Sequence, residues 1–183
     1  MSKGKLIIYT GCSGVGKGTI MEELLKDETL RLSVSCTTRA PRPGETHGKQ
    51  YFFITKEEFE KVIEEQGFLE YATYCDNLYG TPEKAVDEML EQGLNVLLEI
   101  EVQGGMQVMK KRPDALTIFV YPPSMEELER RLRNRGTEDE ETILKRLKCA
   151  EEEMTYAKYY TFNVLNDDVL RAAEEIKDII HNN

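Results

Sequence analysis

The sequence predicts one α/β domain built on a central parallel sheet, and three observations predict it. A length of 183 residues suits one domain with room for small mobile subdomains. The apolar run Lys5 to Thr10 (KLIIYT) ends in glycines and passes straight into a helical stripe of Ile20, Met21, Leu24 and Leu25 between Lys17 and Lys26. Strand, glycine loop, helix is the opening of an α/β fold. After residue 93 strand and helix alternate again to the C-terminus.

The stretch 34–93 breaks that alternation and reads as an inserted subdomain. It opens with polar residues and a proline-bracketed turn, TTRAPRPGETHG, and Tyr51 to Ile54 reads as a strand. Thr55 and Glu58 form a capping-box pattern, which predicts a helix to about Gln66. Phe68 to Tyr74 reads as extended and Pro82 to Gln92 as helix. Asn95 to Ile100 is the next predicted strand, followed by a helix over Gln103 to Lys111. Leu116 to Tyr121 is a strand closed by Pro122 and Pro123, and Ser124 is the N-cap expected for a helix over Met125 to Arg133. The charged loop NRGTEDEE carries an acidic run, Glu138 to Glu141, that suits a helix start, where the dipole favours carboxylates. A charged helix to about Lys158 and a strand over Phe162 to Leu165 follow. Val169, Leu170, Ala173, Ile176 and Ile180 then form the core-packing stripe of a last helix.

Composition bounds the function. Hydrophobic residues make up 40% of the chain, enough for a core, and charged residues 32%, enough to solvate its surface. No apolar run is long enough to span a bilayer. The N-terminal MSKGKLIIYTG lacks the longer apolar region and cleavage site of a signal peptide, so a cytoplasmic protein is expected. The formal charge of -10 argues against a general nucleic-acid binder, which presents a net basic face. Small anions remain open as ligands, because a few arginines can gather in one cleft. Arg39 with Arg42, and Arg130, Arg131, Arg133 and Arg135, are such clusters, which taken alone read as solvated helix faces and loops. Cys12, Cys36, Cys75 and Cys149 are scattered and only two histidines are present. No zinc spacing results, free thiols are expected, and no protein-borne metal site is predicted.

The strongest motif is GCSGVGKGT: Gly11, Cys12, Ser13, Gly14, Val15, Gly16, Lys17, Gly18 and Thr19. Glycines let the backbone turn tightly so that successive N–H groups point inward, and the following helix adds its positive end. Lys17 supplies a mobile charge to β- and γ-phosphates. The match to G-x-x-x-x-G-K-[ST] departs at one residue, Gly18, where a hydroxyl that touches Mg²⁺ is usual. Either Thr19 does part of that work on a phosphate, or Mg²⁺ is held mainly through the nucleotide phosphates and water. The expected architecture is therefore a P-loop three-layer fold that binds a nucleotide.

Further motifs narrow the acceptor. SVSCTTRAPRPGE (Ser33 to Glu45), GKQYFF (Gly48 to Phe53), FLEYA (Phe68 to Ala72), YGTP (Tyr79 to Pro82) and EIEVQG (Glu99 to Gly104) come in order. PPS (Pro122 to Ser124), RLRNRGTE (Arg131 to Glu138) and VLNDD (Val164 to Asp168) complete the series. Together with the phosphate loop they resemble the guanylate kinases over nearly the whole chain. The resemblance implies phosphorylation of GMP, and of dGMP, by ATP, with ADP as co-product. It implies that Ser35, Glu70, Thr81 and Glu101 contact guanine, and that Arg39, Arg42, Tyr51, Tyr79 and Gly80 form the rest of the GMP site. It places Asn166 near adenine and Lys17, Arg42, Arg131, Arg135 and Arg146 on the transferring phosphoryl group. It also implies a core of 1–33, 94–133 and 151–183, a GMP-binding region over 34–93 and a lid over 134–150. Guanine offers N1–H and a 2-amino group, and carboxylates accept from both, so a buried Glu70 would be left unpaired against AMP.

The sequence departs from the family at Gly18, at Cys12, where proline is common, and at Glu99 and Glu101, where aspartates are common. Three other readings compete. A phosphopeptide-binding scaffold module would carry a damaged phosphate loop or lid. A kinase for ribose 1,5-bisphosphate would lack the guanine readers. A motion-coupled NTPase would need coupling domains.

Overall fold

The protein is described by a computed structural model covering residues 3–74, 76–134, 136 and 139–183. Its centre is a five-stranded sheet in which every described pairing is parallel. The strands are β1 (Leu6–Gly11), β2 (Leu30–Leu32), β7 (Asn95–Glu99), β8 (Leu116–Tyr121) and β9 (Phe162–Leu165). Their order is β2-β7-β1-β8-β9. All six residues of β1 are buried, as its central place demands. A parallel sheet needs cover on both faces, which gives such strands continuous apolar runs. The cover comes from α1 (Lys17–Leu24), α3 (Glu83–Glu91), α4 (Val102–Lys111), α5 (Met125–Asn134), α6 (Glu140–Met154) and α7 (Val169–Asn182). Complete burial of residues such as Ile7, Ile8, Ile20 and Ile176 contributes about 1.5–3 kcal/mol each before entropy is counted.

A second sheet holds β3 (Cys36–Thr37), β4 (Phe52–Phe53), β5 (Phe68–Tyr74) and β6 (Asn77–Pro82) in the order β4-β3-β6-β5. With α2 (Lys56–Glu64) it encloses its own small core of Cys36, Phe59 and Phe68, the two phenyl rings 4.4 Å apart. The capping box at α2 forms in both directions: Glu58 N–H donates to Thr55 Oγ1 at 3.1 Å and Thr55 N–H to Glu58 Oε2 at 2.7 Å. Ser124 Oγ likewise accepts from Glu127 N–H at 3.1 Å.

Three expectations change. Helix α3 lies inside 34–93, yet its Val86 and Leu90 are buried in the main core, because its apolar face meets β7 rather than the second sheet. Ile143 and Ala150 of α6, inside the stretch expected to form the lid, are also part of the main core. Helix α6 ends at Met154 and a 3-10 turn, Ala157–Tyr159, follows; Thr155 turns its hydroxyl back onto Glu152 O at 2.7 Å.

The C-terminal helix is clasped to the turn before β2. Asp27 accepts from Thr29 N–H at 2.9 Å and Thr29 Oγ1 at 2.7 Å, and its other oxygen pairs with His181 Nε2 at 2.8 Å. The Thr29 hydrogen bonds hold the Asp27 carboxyl down at about 2. A depressed folded-state value means that this stabilisation is present above the unfolded value and is lost as pH falls toward 2. Asp27→Ala is therefore expected to cost about 1 kcal/mol at pH 7 and little near pH 2, read by urea denaturation at both.

Candidate active site

Parallel strands place their C-terminal ends along one edge, and in open α/β sheets that edge is where ligands sit. Here it carries the phosphate loop after β1, Glu99 and Glu101 around the end of β7, and Asn166 after β9.

The loop owes its shape to two glycines of positive φ, Gly14 (83°) and Gly16 (100°). A Cβ on Gly16 would stand 2.8 Å from Asn166 Nδ2, and that amide is fixed by donating to Val15 O at 2.7 Å. Gly11 is equally constrained, its Cβ position lying 2.4 Å from Val120 O. Gly18 differs: nothing lies within 4 Å, so a side chain there would enter open space. Two opposite outcomes are expected. Gly16→Ala forces a strained backbone worth about 1–2 kcal/mol and displaces Asn166, lowering the melting temperature. Gly18→Ala, in the first helical turn, stabilises the fold by about 0.5–1 kcal/mol, measured by thermal denaturation.

Lys17 Nζ donates to Gly11 O at 2.6 Å and Cys12 O at 3.3 Å. Buried Cys12 is a packing residue: desolvation above all, then the Glu153 charge, push its thiol up to about 12. The other described cysteines, Cys36 and Cys149, are free thiols, and Cys75 lies outside the described residues. Glu99 keeps solvent on one side while protein surrounds the rest. Desolvation raises its carboxyl, Lys17 opposes this, and Glu101 adds to it.

From the basic cluster on α5, Arg131 reaches the loop. Its Nη2 donates to Asn166 O at 2.9 Å, its Nη1 to Val15 O at 3.5 Å, and Glu127 holds its Nε at 2.8 Å. Arg130 pairs with Glu127, and Arg133 with Glu129 and Glu140, as solvated helix-face ion pairs. Arg135 lies outside the described residues. Arg146 stands seven residues before Glu153 on α6, on the same helical face, and Glu153 Oε2 accepts from Ser13 N–H at 2.8 Å. The face of α6 that carries Arg146 therefore meets the phosphate loop. Asn166, expected near adenine, braces the loop through Val15, and its Oδ1 is buried without a partner among the described residues.

The second sheet carries the remaining candidate residues. A bulge between Phe68 and Glu70 brings Glu70 opposite Thr81. Thr81 Oγ1 donates to Glu70 Oε1 at 2.6 Å, and both residues are buried. The other oxygen lies over Gly104 of α4, where a Cβ would come within 2.9 Å of it. Burial raises the Glu70 carboxyl against the pull of Thr81. Arg39, Tyr51 and Tyr79 converge: the two tyrosine rings are 5.8 Å apart, Arg39 lies 5.6 Å from the Tyr51 ring, and Tyr79 hydrogen-bonds to Arg39. Glu45, unforeseen in the sequence, accepts from Arg39 Nη2 at 2.9 Å and Arg42 N–H at 2.7 Å and so shapes this segment. Arg42 is exposed beside it, and Ser35 is half-buried at the entry to β3. At Gly80 a Cβ would lie 3.0 Å from Phe59 and Phe68, so the small core leaves room only for glycine there.

A phosphate loop and a basic, carboxylate-bearing wall at the open edge of one parallel sheet define a P-loop nucleotide phosphotransferase. Residues 3–183 match the Guanylate kinase family model. Guanylate kinase of Caldanaerobacter subterraneus is 52% identical over 179 residues, covering 97% of this chain and 87% of its own length. That of Clostridioides difficile is 53% identical over 181 residues, covering 98% and 88%. The crystal structure of guanylate kinase from Anaplasma phagocytophilum aligns with a TM-score of 0.76 at 34% identity, covering 99% of this chain and 86% of that one. The chain belongs to the guanylate kinase family and is an ATP:GMP phosphotransferase.

Proposed function

We propose that the cleft carries out this reaction by a division of labour between its two walls. A GMP phosphate oxygen forms a new bond to the γ-phosphorus of ATP as the bond to the β–γ bridging oxygen breaks, giving GDP and ADP. Gly11 to Thr19 cradle the ATP phosphates, Lys17 meets the β- and γ-phosphates, and Asn166 with Arg131 borders the adenosine side. Arg39, Arg42, Tyr51 and Tyr79 hold the GMP phosphate. Glu70 and Thr81, with Ser35 and Glu101, read guanine, and the same readers suit dGMP. Arg42, Arg131, Arg135 and Arg146 neutralise charge on the transferring group. Such chemistry needs alignment, charge neutralisation and exclusion of water more than covalent help. The region around the second sheet and the segment around residues 134–150 close on the two nucleotides.

Guanylate kinases are nucleotide kinases that use Mg²⁺ with ATP. Among the described residues no group of three His, Cys, Asp or Glu could hold a metal ion, while the space beside Gly18 is open. Those features fit an ion held by the nucleotide phosphates and water, where it offsets phosphate charge. Among the described residues no helix is long and apolar enough to cross a membrane. We place the enzyme in the cytoplasm, with nucleotides rather than nucleic acid or lipid as its partners.

The observation that carries the assignment of roles is the buried Glu70–Thr81 pair packed against Gly104 of α4, the helix that starts just after Glu101. The test is ADP formation from MgATP with GMP, dGMP, AMP, UMP, CMP or ribose 1,5-bisphosphate. Turnover confined to GMP and dGMP is expected, and equal turnover with AMP would remove the guanine-reading role.

A further inference from the structure

Glu153 is a carboxyl group that no motif and no step of the reaction requires. It is only 9% exposed, whereas Glu151 and Glu152 beside it face solvent. A buried carboxyl is costly unless hydrogen bonds replace its lost water. Here Oε2 accepts from Ser13 N–H in the phosphate loop at 2.8 Å. Glu101, the N-cap residue of α4, meets it through a side-chain hydrogen bond, and Lys17 is near enough to act on it. Cys149, one turn earlier on α6, hydrogen-bonds to it as well. Two adjoining carboxyl groups cannot both ionise without repulsion. Burial first, and the Glu101 charge with it, hold Glu153 above the usual carboxylate range against the pull of Ser13 N–H and Lys17. A protonated Glu153 matches its surroundings: one oxygen accepts from Ser13 N–H, and its O–H can donate to the neighbouring Glu101 carboxyl group.

We propose that Glu153 is a positioning residue for phosphoryl transfer, a bridge from the Ser13 N–H to the Glu101 side chain that couples the setting of the phosphate loop to the seating of GMP. The coupling rests on the reading of Glu101 as a guanine acceptor. Glu101 needs to be correctly turned to accept from guanine, and its contact with Glu153 turns it. The same group pins the loop one turn before Lys17. Because α6 also carries Arg146, movement of that helix shifts the loop, the lid-side arginine and the guanine reader together.

The test is steady-state kinetics and thermal melting of the full chain carrying Glu153→Ala, Glu153→Gln, Glu101→Gln and Glu153→Ala/Glu101→Gln. Supporting residues of this kind are worth about 10- to 100-fold in activity, so Glu153→Ala should lower kcat/KM by that factor. The loss should appear as a higher KM for both ATP and GMP. Glu153→Gln, whose amide both accepts and donates, should stay within about 3-fold of the parent. Glu101→Gln should raise KM for GMP, and adding Glu153→Ala should raise it little further, as expected of two residues acting through one contact. A merely structural Glu153 would lower the melting temperature and leave both KM values in place, which overturns the proposal. So does a Glu153→Gln variant as impaired as the alanine one, since a charge rather than a neutral bridge would then be at work. Multiplicative losses in the double variant overturn the coupling alone. An unchanged KM for GMP in Glu101→Gln overturns the coupling together with the guanine role of Glu101. Glu153→Met, of similar length but without donor or acceptor, replaces the alanine variant if that one fails to fold.

Discussion

Lys17→Ala is expected to lower kcat by about 10²–10³-fold, the usual cost of removing one preorganised group from a developing transition-state charge. The ammonium group sits at the mouth of the loop, held by the carbonyl oxygens of Gly11 and Cys12. Neutral carbonyls are weaker partners than phosphate oxygens, so the side chain exchanges them for the β- and γ-phosphates without disturbing the loop. KM for ATP should rise less than kcat falls, because backbone N–H groups and the helix N-terminus still bind the phosphates. Lys17→Arg should not rescue, since a planar fork cannot take the place of a compact point charge in so tight a turn. Initial rates of ADP formation at saturating GMP decide the matter. A kcat close to that of the parent would remove Lys17 from the chemistry.

The strand–loop–helix around Lys17 was legible in the sequence because its signal is local: strand, glycines and helix follow one another within a few turns. Other features were legible for the same reason, among them the Thr55–Glu58 capping box and the Ser124 cap. What stayed hidden depends on partners distant in sequence. Strand β2 has only three residues, LRL, too few to show a period, and exists because β7 offers an open edge. Strand β6 reads NLYGTP, a turn-like composition that is held extended between β3 and β5. Glu153 stands in a run of three glutamates, and only the approach of Ser13, 140 residues away, singles it out. Gly80 shows the converse: a glycine within an acceptor motif is there for the two phenyl rings behind it.

Glu70→Gln should have the largest effect on acceptor choice. In the parent, Thr81 donates to one oxygen of Glu70, and the remaining lone pairs can accept from guanine N1–H and the 2-amino group. In the variant the threonine hydroxyl claims the amide oxygen and turns the NH₂ toward guanine, so donor faces donor. Two charge-assisted hydrogen bonds at about 1.5–3 kcal/mol each predict a fall in kcat/KM for GMP of roughly 10²–10⁴-fold. AMP, which never used those bonds, should be turned over no more slowly than before. The pH dependence follows from burial, which raises the folded-state Glu70 value. As pH falls through that value the carboxylate is protonated and KM for GMP should climb, a limb that Glu70→Gln lacks. Stability runs the other way. A raised folded-state value means that the favourable contribution is present below the unfolded value and lost as pH rises through the folded one, so the neutral amide should melt no lower than the parent at pH 7. A specific loss of GMP turnover in a protein of undiminished melting temperature is therefore the expected signature. A parallel loss with AMP, or a large drop in melting temperature, would instead make Glu70 a structural carboxylate of the second sheet.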